Sequence, residues 1–599
     1  MKENTNTPTF HIPVMGIGFT IDTPIKVAQY GISSAISLVD DKLMEKLREF
    51  YSKKLDIPFQ SINERIEDFR AKRITAYLDM VNEITNKKFD ELKSSIQDKS
   101  SELEKYMDML PDFSEIKQKF IEYTKNDNIK DIQSWIKNNL SIGSIDVNIM
   151  TKLDKENYKR GQKLPSEFND AHAALRGFAN SKLHSSVILS AGMNPRLYSY
   201  IEKFPDFYPN KEGELVKKIV IKVSDYRSAL IQGKFFAKKG LWVSEFRIES
   251  GLNCGGHAFA TNGFLMGPIL EEFKNQKEKL IQSIHDIYIK ALEEKGLNVP
   301  NKVLDVKITA QGGVGTSEEH NFLLEKYNLD SIGWGTPFLL VPEVVNMDDK
   351  TEKILKDATE DDLYLSNISP LGVPFNSVRG NTKDKEKFKM IKQGVYGSPC
   401  SNRYLQFNSD FTDKPICTAS RAYQKKCIES LDKEHLSQEK YEKALEKITE
   451  KSCICVGLGT SALLTNQLDT KKEGEGVSVC PSSTIAHFSE TYSLKSMAEH
   501  IYGKINLINK PDRPNMFVKE LSMYVDYFKD KVSDLNISLD AKQKKSLESF
   551  QKNLNEGIDY YKGMFSSLKS KFEGAKAKIV DDIERLENEL NNVKFPTFK

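Results

Sequence analysis

Hydrophobic and polar positions change period several times along this chain of 599 residues. Short apolar runs, the mark of buried strands, alternate with segments whose apolar residues step by threes and fours, the mark of amphipathic helices. The runs are HIPVMGIGF (11–19), SSAISLVDD, SIDVNIM (144–150), SSVILSAG (185–192), KKIVIKV (217–223), LWVSEFRIES (241–250), Leu304 to Ala310, and Ser331 to Trp334. Helices are expected after the first run, with Thr23 as N-cap and Pro24 in the first helical position, and over 224–239, 268–295 and Ser317 to Tyr327. Eight short strands alternating with helices predict an α/β fold, a closed parallel (βα)8 barrel.

Two stretches break the rhythm. From Asp41 to Lys137 the chain is charged and helical, with Ile74, Leu78, Val81, Ile84, Leu92 and Ile96 at roughly helical spacing. This predicts a helical insertion after the second strand, with Arg70 and Arg73 as solvated surface groups and an anion contact as the other reading. Residues 341–500 are loop-rich, hold six of the seven cysteines, and carry one charged helix from Thr418 to Lys451. The chain ends in a heptad-like seam that includes Leu547, Phe550, Leu554, Ile558, Tyr561, Phe565, Ile579, Ile583, Leu586 and Leu590. Packing of that seam within the chain is the plainer reading, and a homo-oligomer through these helices is the other. The layout expected is a barrel from 1–50 and 140–345, a helical insertion at 51–139, a cysteine-containing extension at 346–495, and a C-terminal helical hairpin or coiled coil at 496–599.

Composition narrows the class. Hydrophobic residues at 39% with 10% aromatics describe a globular chain. Lys+Arg 87 against Asp+Glu 85 leaves +2, so no net field favours nucleic acid or an anionic membrane. No apolar run reaches the ~18 residues of a membrane span. The polar start MKENTNTPTF lacks the apolar core of a signal peptide, and an odd cysteine count in so long a chain suits a reducing cytoplasm.

Active sites of (βα)8 barrels lie at the C-terminal strand ends. Here those ends supply Met15-Gly16, Asn148, Gly192, Lys222, the loop GLNCGGH (251–257), Gln311-Gly312-Gly313 and Gly335-Thr336. Glycine beside a hydroxyl at the seventh and eighth strands allows backbone N–H groups to approach a phosphate, with the helix starting at Ser317 pointing its positive end inward.

Four of these elements together resemble the FMN-dependent nitronate monooxygenase family (2-nitropropane dioxygenases) and the related trans-acting enoyl reductases. PVMGIGF is similar to the family's first strand, Val147-Asn148-Ile149 to its third, and Cys254-Gly255-Gly256-His257 to its Gly-Gly-His loop. Ala310-Gln311-Gly312-Gly313-Val314 and Gly335-Thr336-Pro337-Phe338 resemble its phosphate loops. LGVPFNSVRGN (371–381) is similar to a segment following the barrel. The resemblance implies FMN as cofactor. Met15, Gly16, Asn148, Lys222, Gly255 and Gly256 would lie beside the flavin, and Gly312, Gly313, Gly335 and Thr336 would hold its phosphate. His257 would be the proton donor or acceptor, as suits an imidazole titrating near neutrality. Cys254, Ala258, Phe259 and Phe264 depart from the family's usual neighbours of that histidine, which puts nitronate in question as the substrate.

Cys400, Cys417, Cys455 and Cys480 stand on turns and form a candidate ligand set for a [4Fe–4S] cluster, with Cys453 and Cys427 as alternative ligands and plain loop thiols as the other reading. The function expected is an FMN-dependent oxidoreductase acting on a small organic substrate, with an electron-transfer protein as partner if the cluster exists. The alternative is a barrel that binds FMN or a phosphometabolite and assembles with partners without redox turnover.

Overall fold

The structure, a computed structural model, describes residues 6–95, 101–125, 130–254, 262–431, 436–509, 512–533, 541–568 and 571–594. Eight parallel strands form one sheet: β1 (Phe10–His11), β2 (Ser34–Ser37), β3 (Ile145–Ile149), β4 (Ser186–Leu189), β5 (Lys218–Val223), β6 (Val243–Glu249), β7 (Lys307–Gln311) and β8 (Ser331–Gly333). Neighbours follow chain order from β2 to β8, and β8 pairs back onto β1. A parallel bridge from Ile12 to Ser34 joins the two edges, with Ile12 N donating to Ser33 O at 2.9 Å and Ala35 N to Ile12 O at 3.2 Å. The architecture is the α/β barrel that the alternating pattern predicts.

The first apolar run behaves differently from expectation. Only Phe10 and His11 are strand and Ile12 is a bridge; from Pro13 onward the chain leaves the sheet and folds across the mouth under the helix Ile454–Thr465. Gly18 makes this close approach possible: its N–H donates to Leu458 O at 2.7 Å, and a Cβ there would lie 2.7 Å from Gly459 O. Asp22, not Thr23, takes the N-cap position of the helix Thr23–Val27. Its carboxylate accepts instead from Tyr51 Oη and Asn346 Nδ2, both at 2.7 Å.

The charged segment after β2 is less separate than its composition implies. Helix Phe69–Ser94 buries Ile74, Tyr77, Leu78 and Val81. It packs on the helix Asp170–Ala179 and on Ala28–Tyr30, in the outer ring between β2 and β3. A Cβ on Gly177 would meet Ile74 at 2.8 Å, so the two helices touch at that glycine. Arg70 and Arg73 are buried rather than solvated: they clamp Asp41 from both sides at 2.5 and 2.8 Å, and Arg70 also donates to Val39 O at 2.9 Å.

The region read as one charged helix contains two, Arg421–Leu431 and Gln438–Glu450. The C-terminal seam closes within the chain: Leu554, Ile558, Tyr561, Phe565, Ile579, Ile583, Leu586 and Leu590 are buried. Helices Ala541–Ser567 and Lys576–Asn591 pack on each other and on Met516–Ser533, and Ala541–Ser567 also packs on the barrel helix Met266–Glu294. Among the described residues no helix is long and apolar enough to cross a membrane.

Candidate functional site at the C-terminal mouth of the barrel

Polar residues at every second position of a strand all face one way. Glu245, Arg247 and Glu249 of β6, Thr309 and Gln311 of β7, and Asp146 and Asn148 of β3 point into the barrel, while Phe246, Ile248 and Val147 join the outer core. Low in the barrel, Arg247 and Thr309 both bond Glu245, at 2.7 and 2.6 Å. Above them Ala35, Ile188 and Val220, with Val14 against them, make a small apolar plug.

On that plug sits a polar floor. Glu249 Oε1 accepts from Lys222 Nζ at 3.1 Å, Asn253 Nδ2 at 2.8 Å and Gln311 Nε2 at 2.6 Å. Asn376, on the hairpin Leu363–Ser366/Phe375–Val378, donates to Asn253 O at 3.3 Å and closes one side. Asn148 lies between Ser37 and Ile188 in the sheet register. Its side-chain amide bonds to no other described residue. Strand-end position alone points to Lys222 and Asn148 at this mouth but not to Glu249, the acceptor on which the floor converges. The period-two charges of Glu245, Arg247 and Glu249 were the available signal.

The loops after β7 and β8 form the second part. Gly312 and Gly313 have φ of +111° and +83°. A Cβ on Gly312 would lie 3.0 Å from Asn253 N, and one on Gly313 would lie 2.8 Å from the Leu252 side chain. Both glycines are therefore required by backbone conformation and by the loop after β6, before any ligand is considered. Among the described residues, the N–H groups of Gly312, Gly313, Gly335 and Thr336 meet no acceptor. The chain braces this loop from outside. Glu319 accepts from Gly315 N at 2.9 Å, Met516 N at 2.8 Å and Arg513 Nη1 at 2.7 Å, while Arg513 Nη2 donates to Gly313 O at 2.7 Å. Thr336 Oγ1 accepts from Ser482 N and Ser482 Oγ at 3.0 and 2.9 Å, and its hydroxyl also faces the Cys254 thiol. Behind Gly313, Glu360 is held down to about 2 by its hydrogen bond from His487, with Lys519 adding to the effect.

Six of the seven cysteines divide between two places. Cys254 and Cys480 sit in the mouth, where both thiols approach the Met15 carbonyl, at 3.9 and 3.6 Å, and burial raises the Cys254 thiol. Met15 and Thr336 are buried, and Gly335 faces Cys254, Pro13 and Met15. Cys480 is thus apart from the other three residues of the ligand set read from the sequence. Cys400, Cys417 and Cys455 lie together with Cys453 instead. Loop spacing alone does not reveal which turns the fold brings together. His257, Gly255 and Gly256, with Ala258 and Phe259, lie outside the described residues; Cys254 and Phe264 lie to either side of that segment.

No family model matches the chain, and no curated protein matches it. Among solved structures it is similar to the enoyl reductase domain of MlnA from the macrolactin biosynthesis cluster of Bacillus amyloliquefaciens. The identity is 12%, the alignment covers 72% of this chain and 86% of that one, and the TM-score is 0.29. At that level the likeness carries no argument about chemistry, which rests on the geometry above.

Proposed function

We propose that the chain is an FMN-dependent oxidoreductase whose flavin lies over the C-terminal mouth of the barrel. The observation that carries this reading is the set of backbone donors without acceptors at Gly312, Gly313, Gly335 and Thr336, at the ends of adjacent strands β7 and β8. Such donors on glycine-bearing loops favour a dianionic phosphate, and the same two strand ends are the phosphate site of many (βα)8 barrels. The Asn148 amide and the Lys222 ammonium then fit the polar edge of the ring system, since both point from inward-facing strand positions into the same opening. FMN, when bound, supplies hydride and one-electron chemistry.

The chain's own residues hold and orient. Glu249 fixes Lys222 and Gln311 in place, so the cation reaches the opening from one direction. Ala35, Ile188 and Val220 line the barrel interior with a small apolar cluster beside these polar groups. His257 follows Cys254 by three residues and is assigned the proton transfer to or from the substrate carbon. The substrate class is a small organic molecule bearing an activated carbon, such as an alkene conjugated to a carbonyl.

Anaerobic stopped-flow measurement tests this function. Reduced FMN bound to the protein should be reoxidised by an activated alkene, or oxidised FMN bound to it reduced by a nitronate, much faster than free flavin in the same state. His257→Ala should slow that step by ~10²-fold or more while leaving FMN binding intact. Electron exchange no faster than that of free flavin, with every activated alkene as acceptor and every nitronate as donor, would remove the oxidoreductase reading.

A further inference from the structure

Four cysteines from three separate segments meet beside the helix that covers the barrel mouth. Cys400 lies on the loop after helix Thr382–Lys392, Cys417 precedes helix Arg421–Leu431, and Cys453 and Cys455 stand at the start of helix Ile454–Thr465. All four are buried, at 7%, 2%, 3% and 4% exposure. The Cys453 and Cys455 sulfurs are 4.0 Å apart. Cys400 and Cys417 are neighbours, both lie near Cys453, and Cys455 lies near all three others.

Two further observations point to a ligand rather than to ordinary core packing. Cys400 has φ +56° and Arg403 has φ +63°, left-handed conformations that cost a non-glycine residue ~1–2 kcal/mol each. The loop is thus held in a strained shape that brings Cys400 to the other three. A cavity of about 210 Å³ also reaches Cys453 and is lined by Lys383, Arg421 and Lys451. It provides an entry path, and its cations offset the negative charge that a centre of four thiolates carries.

We propose that Cys400, Cys417, Cys453 and Cys455 together ligate a thiophilic metal centre, either a zinc ion or an iron–sulfur cluster. Each thiol loses its proton on ligation; for zinc, one Zn²⁺ and four thiols give a tetrathiolate centre of net charge −2 and release four protons. As the side chains stand, no three His, Cys, Asp or Glu among the described residues form a set that could hold a metal ion. Ligation requires side-chain rotation, and one rotamer step about Cα–Cβ moves a cysteine sulfur by about 3 Å. The 4.0 Å between Cys453 and Cys455 is already near the ~3.8 Å edge of a tetrahedron with 2.3 Å zinc–sulfur bonds. The inference is independent of the flavin.

Metal and acid-labile sulfide analysis of the full chain, purified without oxygen, tests it. The expected result is either about one zinc per chain without sulfide, or iron with matching sulfide. Cys453→Ser and Cys455→Ser should lose the metal, whereas Cys480→Ser and Cys427→Ser should keep it. Should the first two variants be insoluble, alkylation of the wild-type protein replaces them. Cys400, Cys417, Cys453 and Cys455 should then be protected as a set and become reactive together on chelation, with Cys427 reactive throughout. Absence of both zinc and iron, loss of metal in Cys480→Ser, or labelling of the four cysteines that ignores the chelator would overturn the proposal.

Discussion

Replacing Glu319 by alanine is expected to lower the stability of the protein by about 3–5 kcal/mol, because it leaves the buried Arg513 charge without its partner. The side chains of this pair are only 8% and 2% exposed, so solvent does little to compensate. The same substitution strips the acceptor from Gly315 N and from Met516 N, the first residue of the helix that opens the C-terminal bundle. Two consequences should therefore appear together: a lower midpoint in urea unfolding and faster limited proteolysis between the barrel and residue 516. Glu319→Gln keeps an acceptor oxygen but not the charge and should fall between the two. An alanine variant within ~1 kcal/mol of wild type would show that the bundle is not latched to the glycine loop in this way.

Glu520 predicts a pH effect of similar size. It is buried among apolar groups, accepts from Met266 N at 3.0 Å and from Tyr561 Oη at 3.2 Å, and its pKa is raised by burial from 4.5 to about 7. A raised acid binds its proton more tightly in the folded state, so its stabilising contribution is complete below the unfolded value of 4.5. That contribution is lost as pH climbs toward 7, and no further loss follows above it. The span is worth about 3 kcal/mol. Glu520→Gln, which cannot ionise yet keeps an acceptor for Met266 N, should flatten the pH dependence of the thermal midpoint in this window and raise the midpoint at pH 8. Equal pH profiles for the two proteins would mean that Glu520 is ionised in the fold at neutral pH.

Much of the barrel was legible because its strands carry their burial pattern locally. Val147 and Ile149 alternate with Asp146 and Asn148, and helix Ser317–Tyr327 was read to its ends from its own apolar spacing. The first strand was misjudged because HIPVMGIGF is apolar for a different reason: from Pro13 onward it packs against a helix more than four hundred residues away, which local pattern does not encode. Arg70 and Arg73 look like surface charges for the same reason, since their burial depends on Asp41, some thirty residues earlier. In the site, sequence marks Gly312 and Gly313 as places where the backbone is closely approached. Sequence does not show that Leu252 and Asn253 are what approaches Gly313 and Gly312. Cys480 lies apart from Cys400, Cys417 and Cys455, and spacing along the chain does not show where the path of residues 454–480 carries it.

The central claim is that the strand-end N–H groups at Gly312, Gly313, Gly335 and Thr336 bind the phosphate of a flavin. Fluorescence titration of the purified chain with FMN and, in parallel, with riboflavin tests it most directly, because the two ligands differ only in that phosphate. The expected result is binding of FMN at least tenfold tighter than riboflavin, about 1.4 kcal/mol or more in favour of the phosphate. Equal affinity for the two, or no binding of FMN, would contradict it.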